Sequence, residues 1–267
     1  NDGGRMAARS GLGAVMGAKN LKALVLAGNR RIPVFDREKM RKLSKSCNRW
    51  VRLQPPLVPG SLMASVGTLF RIMPRQIAQD GLLYKSLLMK WGTVSMNQAS
   101  VEMGDTPVKN WAGSNEDYPP ASSRWIDPDL FRRTEVRKYH CYSCPLGCGA
   151  LCSLTGKFTH SHRPEYETVG AFGPLCLNTD TDSIFYINEL LNRAGMDTIS
   201  AGATVAFAME CYEKGILTKS DMDGIDLTWG NADAIIALLY KMIRREGIGD
   251  VLADGVHKGA ERIGGKS

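Results

Sequence analysis

Four consecutive segments in the last third of the chain each open on a polar residue and are followed closely by a glycine, and this pattern restricts the fold more than any other feature. Helices are expected from about Thr181 to Arg193 before Gly195, Thr198 to Lys214 before Gly215, Asn231 to Glu246 before Gly247, and Asp250 to Ile263 before Gly264. A polar side chain at a helix start accepts from an N–H that has no partner within the helix, and glycine takes the left-handed turn that ends a helix at little steric cost. Helices in such numbers bury their apolar faces against one another. The expected fold is therefore mainly α, a multi-helix domain.

The N-terminal part reads differently. Residues 1–20 are rich in Gly and Ala and lead into Leu21-Lys22-Ala23-Leu24-Val25-Leu26-Ala27, an apolar run of the kind that forms a buried strand. Gly28 to Pro33 reads as a linker, so residues 1–33 are expected to be a small remnant of an α+β domain and residues 34–267 the helical one. Asp36 is placed to cap a basic amphipathic helix running to about Trp50, and the Pro-rich stretch from Gln54 to Pro59 breaks it. Gly60 to Lys90 leans helical. Trp91 to Arg137 mixes Gly, Pro, Asn, Asp and Trp as long loops with short helices do, and loops of that length are uncommon unless functional.

Composition narrows the function. The hydrophobic fraction of 43% and charged fraction of 23% are those of an ordinary globular protein. The net charge of +7 is scattered, with a modest concentration from Arg30 to Arg52, which argues against a nucleic-acid reader and suits an anionic cofactor or an acidic electron carrier. No apolar run reaches the length of about 18 residues that a membrane helix needs. The start lacks an initiator Met and the regions of a signal peptide, and Gly264-Gly265-Lys266-Ser267 follows directly on a helical pattern, so a piece of a longer protein is expected.

Three of the seven cysteines crowd into His140-Cys141-Tyr142-Ser143-Cys144-Pro145-Leu146-Gly147-Cys148-Gly149, spaced Cys-x2-Cys-x3-Cys. Such crowding suits a metal site in a reducing compartment, hence the cytoplasm. A loop with thiolates that close can wrap one face of a cuboidal iron–sulfur cluster, with Pro and Gly turning the backbone so that amides approach the sulfurs. Structural zinc sites usually draw on two separated pairs, and no second Cys-x2-Cys occurs, although His160 and His162 could complete one; a redox thiol pair is the third reading. Cys152 and Cys176 stand in reserve as a fourth ligand. Cys211 and Cys47 read as small buried hydrophobes.

Three further segments carry chemistry-bearing groups. Arg5-Met6-Ala7-Ala8-Arg9-Ser10-Gly11-Leu12-Gly13 offers amides and guanidinium groups together, which suits a phosphate, though a close-packed turn explains the glycines equally. Pro164-Glu165-Tyr166-Glu167-Thr168 sets two carboxylates beside Val169-Gly170-Ala171-Phe172; alternation would point one inward, where burial raises its pKa and fits it for proton transfer, and a solvated strand or turn is the plainer reading. Asn192-Arg193-Ala194-Gly195-Met196-Asp197-Thr198 joins two helices, and its polar groups can cap the second helix or meet a docked heterocycle.

Taken together and in this order, the Arg-rich glycine segment continuing to Gly17-Ala18-Lys19-Asn20-Leu21-Lys22-Ala23, the cysteine loop, the Glu165/Glu167 segment and the Asn192 junction resemble the tungsten-containing aldehyde ferredoxin oxidoreductase family over nearly the whole chain. The resemblance implies an enzyme that oxidises aldehydes to carboxylic acids at tungsten, or molybdenum, held by two pyranopterins, with a [4Fe-4S] cluster passing electrons to ferredoxin. It implies that residues 1–33 end the family's pterin-binding first domain. Cys141, Cys144 and Cys148 would ligate the cluster. Arg5, Met6, Arg9 and Gly11 would lie at the pterin phosphates and their magnesium, Met6 through its carbonyl. Asn192, Gly195, Met196 and Asp197 would form a pterin-binding turn, which the family usually writes with Asp where Asn192 stands. Glu167 would relay a proton beside the metal, and a second pterin turn, a fourth cluster cysteine and a histidine would follow further along the chain. A relative that reduces an aromatic ring on a coenzyme A thioester is the alternative within the family, and a zinc-stabilised interaction module the alternative outside it. No nucleic acid or membrane partner is expected, and the residues do not choose between a monomer and a homodimer.

Overall fold

The computed structural model describes residue 6 and residues 11–49, 59–72 and 81–264. The chain runs through α1 (Leu12–Ala18), α2 (Arg37–Cys47), α3 (Leu62–Ile72), α4 (Gly81–Trp91), α5 (Asn97–Met103), α6 (Pro120–Ser123) and α7 (Pro128–Arg133) into three strands. These are β1 (Glu135–Tyr139), β2 (Gly149–Ser153) and β3 (His160–His162). The remainder is helical: α8 (Tyr166–Phe172), α9 (Thr181–Ala194), α10 (Thr198–Glu213), α11 (Ala232–Arg244), α12 (Ile248–Leu252) and α13 (Val256–Ile263). The fold is mainly α, as the capping pattern indicates, and no helix among the described residues is long and apolar enough to cross a membrane.

Local chemistry explains the helix ends. The Asp36 carboxylate accepts from Lys39 N at 2.8 Å, Asp180 from Ser183 N at 3.2 Å, Asp197 from Ser200 N at 2.8 Å and Asn231 from Ala234 N at 3.1 Å. Each fills a donor that the first turn leaves open. Gly195 ends α9 in the left-handed region, with Met196 N donating to Leu191 O at 3.0 Å.

Several expectations need correction. Residues 21–27 form no strand: no strand pairs with them among the described residues, and Val25 is 88% exposed. An apolar run becomes a strand only where another strand supplies its hydrogen bonds. α11 ends on Arg245 in the left-handed region rather than on Gly247, and the expected 250–263 helix is broken at Gly255, whose φ of 91° the helix cannot continue. Cys47 lies exposed on α2, which buries none of its residues, whereas Cys211 is buried. Trp50 and residues 51–58 lie outside the described residues, as does the middle of the Gly60–Lys90 segment.

The core is continuous from α3 and α4 through α13 and is filled by Trp91, Phe131, Phe172, Ile187, Leu191, Met209 and Leu238, among others. Asp129 ties its early helices together: it accepts from Trp91 Nε1 and from Gly60 N, both at 2.6 Å. α8 lies hard against α10, where a Cβ on Gly202 would stand 2.6 Å from the Ala171 methyl. The three strands form an antiparallel sheet in the order β1-β2-β3, a feature the sequence reading did not anticipate.

Candidate metal and active site

The sheet explains the shape of the cysteine loop. Tyr139 pairs with Gly149 across β1 and β2, so residues 140–148 form the hairpin connection and Cys141 and Cys148 stand at its two ends. Within it, Cys144 N donates to Cys141 O at 3.0 Å, and Ser143 and Gly147 take φ of 58° and 61°. Two left-handed residues coil the hairpin rather than letting it extend. Tyr139 lies flat over Gly149, leaving no room for a Cβ there, and its hydroxyl meets His162 Nδ1 at 2.9 Å.

Cys141 is exposed, and Cys144 and Cys148 are half-buried. The Cys148 thiol titrates above its usual range, chiefly through desolvation and then through the nearby Glu165 carboxylate and the Cys144 and Cys141 sulfurs. Among the described residues no three Cys, His, Asp or Glu side chains stand at metal-ligating separations. His162 is engaged by Tyr139, and His160 Nδ1 meets Thr159 Oγ1 at 2.9 Å. As a donor set, three thiols on one coiled hairpin fit a thiolate-preferring centre such as an iron–sulfur cluster. Cys152 and Cys176 are both buried, and the Cys176 thiol donates to Ala171 O at 3.2 Å inside the core, where burial pushes its pKa well up.

The carboxylate segment is a helix start, neither strand nor turn. Glu165 precedes α8 and is half-buried, accepting from Thr93 Oγ1 at 2.5 Å, while Tyr166 N donates back to the same hydroxyl at 3.0 Å. Glu167 sits in the first turn and is exposed rather than inward-pointing, because helical periodicity replaces the expected alternation. It borders a small, mostly apolar cavity of about 90 Å³ with Thr106, Trp111, Tyr166 and Leu175. Trp111 ends a run of three left-handed residues, Lys109, Asn110 and Trp111, with φ of 46°, 49° and 63°. Anchors hold this costly backbone. Lys109 N and Asn110 N donate to Pro174 O and Leu175 O, and Asn110 Nδ2 donates to Glu210 Oε2 at 2.5 Å.

The helix junction reaches the same region. Thr168 of α8 and Thr198 at the start of α10 share a hydrogen bond of 2.8 Å. Asp197 caps α10, and the buried Asn192 donates to Asn188 O at 2.7 Å. Met196 and Asp197 border a second cavity of about 280 Å³ together with Ser200, Thr204, Met242 and Gly255. The structure therefore links the cysteine loop, the Glu165/Glu167 segment and the junction through α8. The glycine segment is not drawn in among the described residues: Arg5 and Arg9 lie outside them, Met6 is half-buried, and Gly11 is exposed ahead of α1, which buries no residue.

Sequence reasoning missed Gly92, Thr93, Trp111 and Arg163. The one available signal for Arg163 was its place directly before the Pro164-Glu165 pair.

The described residues thus form a helical domain with three thiols on a coiled hairpin beside a carboxylate-bearing helix start. Comparison with known proteins gives its family. Residues 71–267 match the family "Aldehyde ferredoxin oxidoreductase, domains 2 & 3". The tungsten-containing aldehyde ferredoxin oxidoreductase of Pyrococcus furiosus is 34% identical over 265 residues, covering 99% of this chain and 39% of that protein. The "Aliphatic sulfonate oxidoreductase, WOR-like subunit" of the same organism is 31% identical, covering 95% of this chain and 36% of its own. Among solved structures, the active-site complex BamBC of benzoyl coenzyme A reductase with 1,5-dienoyl-CoA aligns at a TM-score of 0.64 and 25% identity, over 97% of this chain and 36% of that one. The chain belongs to the aldehyde ferredoxin oxidoreductase family, and it spans about two fifths of the length of the curated relatives it matches.

Proposed function

We propose that this chain is part of an enzyme that oxidises aldehydes to carboxylic acids at a tungsten or molybdenum bis-pyranopterin centre and passes the electrons through a [4Fe-4S] cluster to ferredoxin. The observation that supports the reading is the position of α8, which carries Glu167: Glu165 at its start lies near the Cys148 thiol, and Thr168 bonds Thr198 directly after the Asn192–Asp197 junction. Residues 1–33 are taken as the end of a pterin-binding domain and residues 34–267 as the helical domain.

Cys141, Cys144 and Cys148 supply three thiolates to the cluster. Asn192, Gly195, Met196 and Asp197 hold one pterin at the junction, and Arg5, Met6, Arg9 and Gly11 hold the pterin phosphates with their magnesium. When bound, the pterin metal supplies the two-electron oxidation. Glu167, exposed at the rim of its cavity, accepts one of the two protons released as the aldehyde and a water become the acid, the other passing to solvent and the two electrons to the pterin metal. The wall of that cavity beside Glu167 is mostly apolar and includes Leu175 and Trp111.

The likeness to the benzoyl coenzyme A reductase complex supports a second reading, reduction of an aromatic thioester on the same fold. Turnover of the intact protein with a simple aldehyde and with an aromatic CoA thioester separates the two. Aldehyde oxidation coupled to ferredoxin reduction is expected, and activity with the thioester alone replaces the first reading by the second. Glu167→Gln is expected to lower aldehyde turnover about a hundred-fold or more, the usual contribution of a positioned acid–base group. Its iron content stays at the wild-type value. Unchanged turnover removes Glu167 from the proton path.

A further inference from the structure

We propose that Arg163 is the positioning residue of the cysteine hairpin: it fixes the backbone of the third thiolate, Cys148, and places a paired charge there that sets the reduction potential of the cluster. This rests on the reading of the hairpin as an iron–sulfur ligand set.

Arg163 follows β3 and is 2% exposed. Its main chain extends the sheet, Arg163 N donating to Ala150 O at 2.8 Å. Its guanidinium is shared between two acceptors, Nη1 donating to Glu135 Oε2 at 2.7 Å and Nη2 to the Cys148 carbonyl. One planar fork therefore ties the far end of the hairpin to the first strand of the sheet. Lysine, a point charge on a flexible stem, cannot bond both acceptors at that fixed angle. The surroundings are shaped for it: Gly92, at φ 70°, passes so close that a Cβ would overlap both Nη2 and the Cys148 oxygen.

Fold stability alone does not select a charged pair here over apolar packing. A buried ion pair replaced by apolar residues of similar volume is often no less stable, because desolvating two charges offsets most of their attraction. A loop that needed only support could have been packed with leucine. What the charged pair adds is a field in a region of low dielectric, where fixed charges act strongly. A cationic group beside a thiolate-bound cluster favours the reduced state, which carries one more negative charge, and an anionic group opposes it. Arg163 faces the hairpin with Glu135 as its counter-ion, Lys138 Nζ lies 4.0 Å from the same carboxylate, and Glu165 adds its charge to the field at Cys148. The two members of the pair thus act on the potential in opposite directions.

The test uses intact protein purified without oxygen, with iron per chain and the cluster's midpoint potential followed by EPR-monitored redox titration. R163Q is expected to move the midpoint to a more negative value and E135Q to a more positive one. A purely structural role would not produce shifts of opposite sign. The proposal is overturned if both variants hold iron and neither midpoint moves, or if both move the same way. Should R163Q fail to fold, E135Q alone decides, since an unmoved or more negative midpoint contradicts the proposal. A wild-type protein without iron instead refutes the ligand reading on which the proposal stands, so the two failures are told apart.

Discussion

Gly92→Ala is the most informative single change to the scaffold of the site, and Gly104→Ala is its internal control. Both glycines have φ well into the left-handed region, 70° and 81°, so alanine is strained at either position by about 1 kcal/mol. They differ in surroundings. A Cβ on Gly104 meets nothing within 4 Å, whereas one on Gly92 overlaps the Arg163 guanidinium and the Cys148 carbonyl. Neither neighbour is the free end of a mobile chain: the carbonyl is backbone, and the guanidinium is held by Glu135 at 2.7 Å. Relief of the overlap breaks the bond from Arg163 to Cys148, and a hydrogen bond to a charged group contributes about 1.5 to 3 kcal/mol. The expected destabilisation is about 1 kcal/mol for Gly104→Ala and about 2.5 to 4 kcal/mol for Gly92→Ala. Urea unfolding of the intact protein, followed by circular dichroism at matched iron content, measures the difference. Equal costs for the two variants would refute the close contact between Gly92, Arg163 and the hairpin.

Two other outcomes follow from the packing around the helices. Asp223 accepts from Ile248 N at 3.0 Å and pairs with Lys241 at 3.1 Å, and these hold its carboxyl below the ordinary value of 3.8, the backbone bond contributing most. A depressed folded-state pKa stabilises above the unfolded value and loses that contribution as pH falls through the depressed one. Asp223→Asn is therefore expected to lower stability at neutral pH, with the gap to wild type closing below the unshifted carboxylate value in acid-unfolding curves; a gap that persists there contradicts the assignment. Cys176→Ala should leave iron per chain unchanged and cost about 1 kcal/mol, the contribution of the core hydrogen bond its thiol makes. Loss of iron in that variant would make Cys176 a cluster ligand.

The parts of the fold that were legible in the sequence are those decided within a few residues. Asp36, Asp180, Asp197 and Asn231 cap helices through bonds reaching three positions along the chain, so α2, α9, α10 and α11 could be placed to within about a residue of their starts, at Asp36, Thr181, Thr198 and Asn231. The sheet depends on distant pairing and left little trace. β1 reads Glu-Val-Arg-Lys-Tyr, a mostly charged edge without apolar alternation, and β3 has three residues, two of them histidines. The 21–27 run failed for the opposite reason, having strand composition but no paired neighbour among the described residues. At the site, the cysteine spacing marked the hairpin because all three thiols lie on one loop. Arg163 stayed hidden because its partners stand 28 and 15 positions away, and Glu165 and Glu167 were read as alternating because nothing local announced that α8 begins between them.

The measurement that bears most directly on the account is metal analysis and EPR of the intact protein isolated without oxygen, alongside Cys144→Ser. A brown protein with about four irons per chain and absorbance near 400 nm, both lost in Cys144→Ser, is the predicted result. A colourless protein whose hairpin holds zinc, or an iron content indifferent to Cys144, would contradict it.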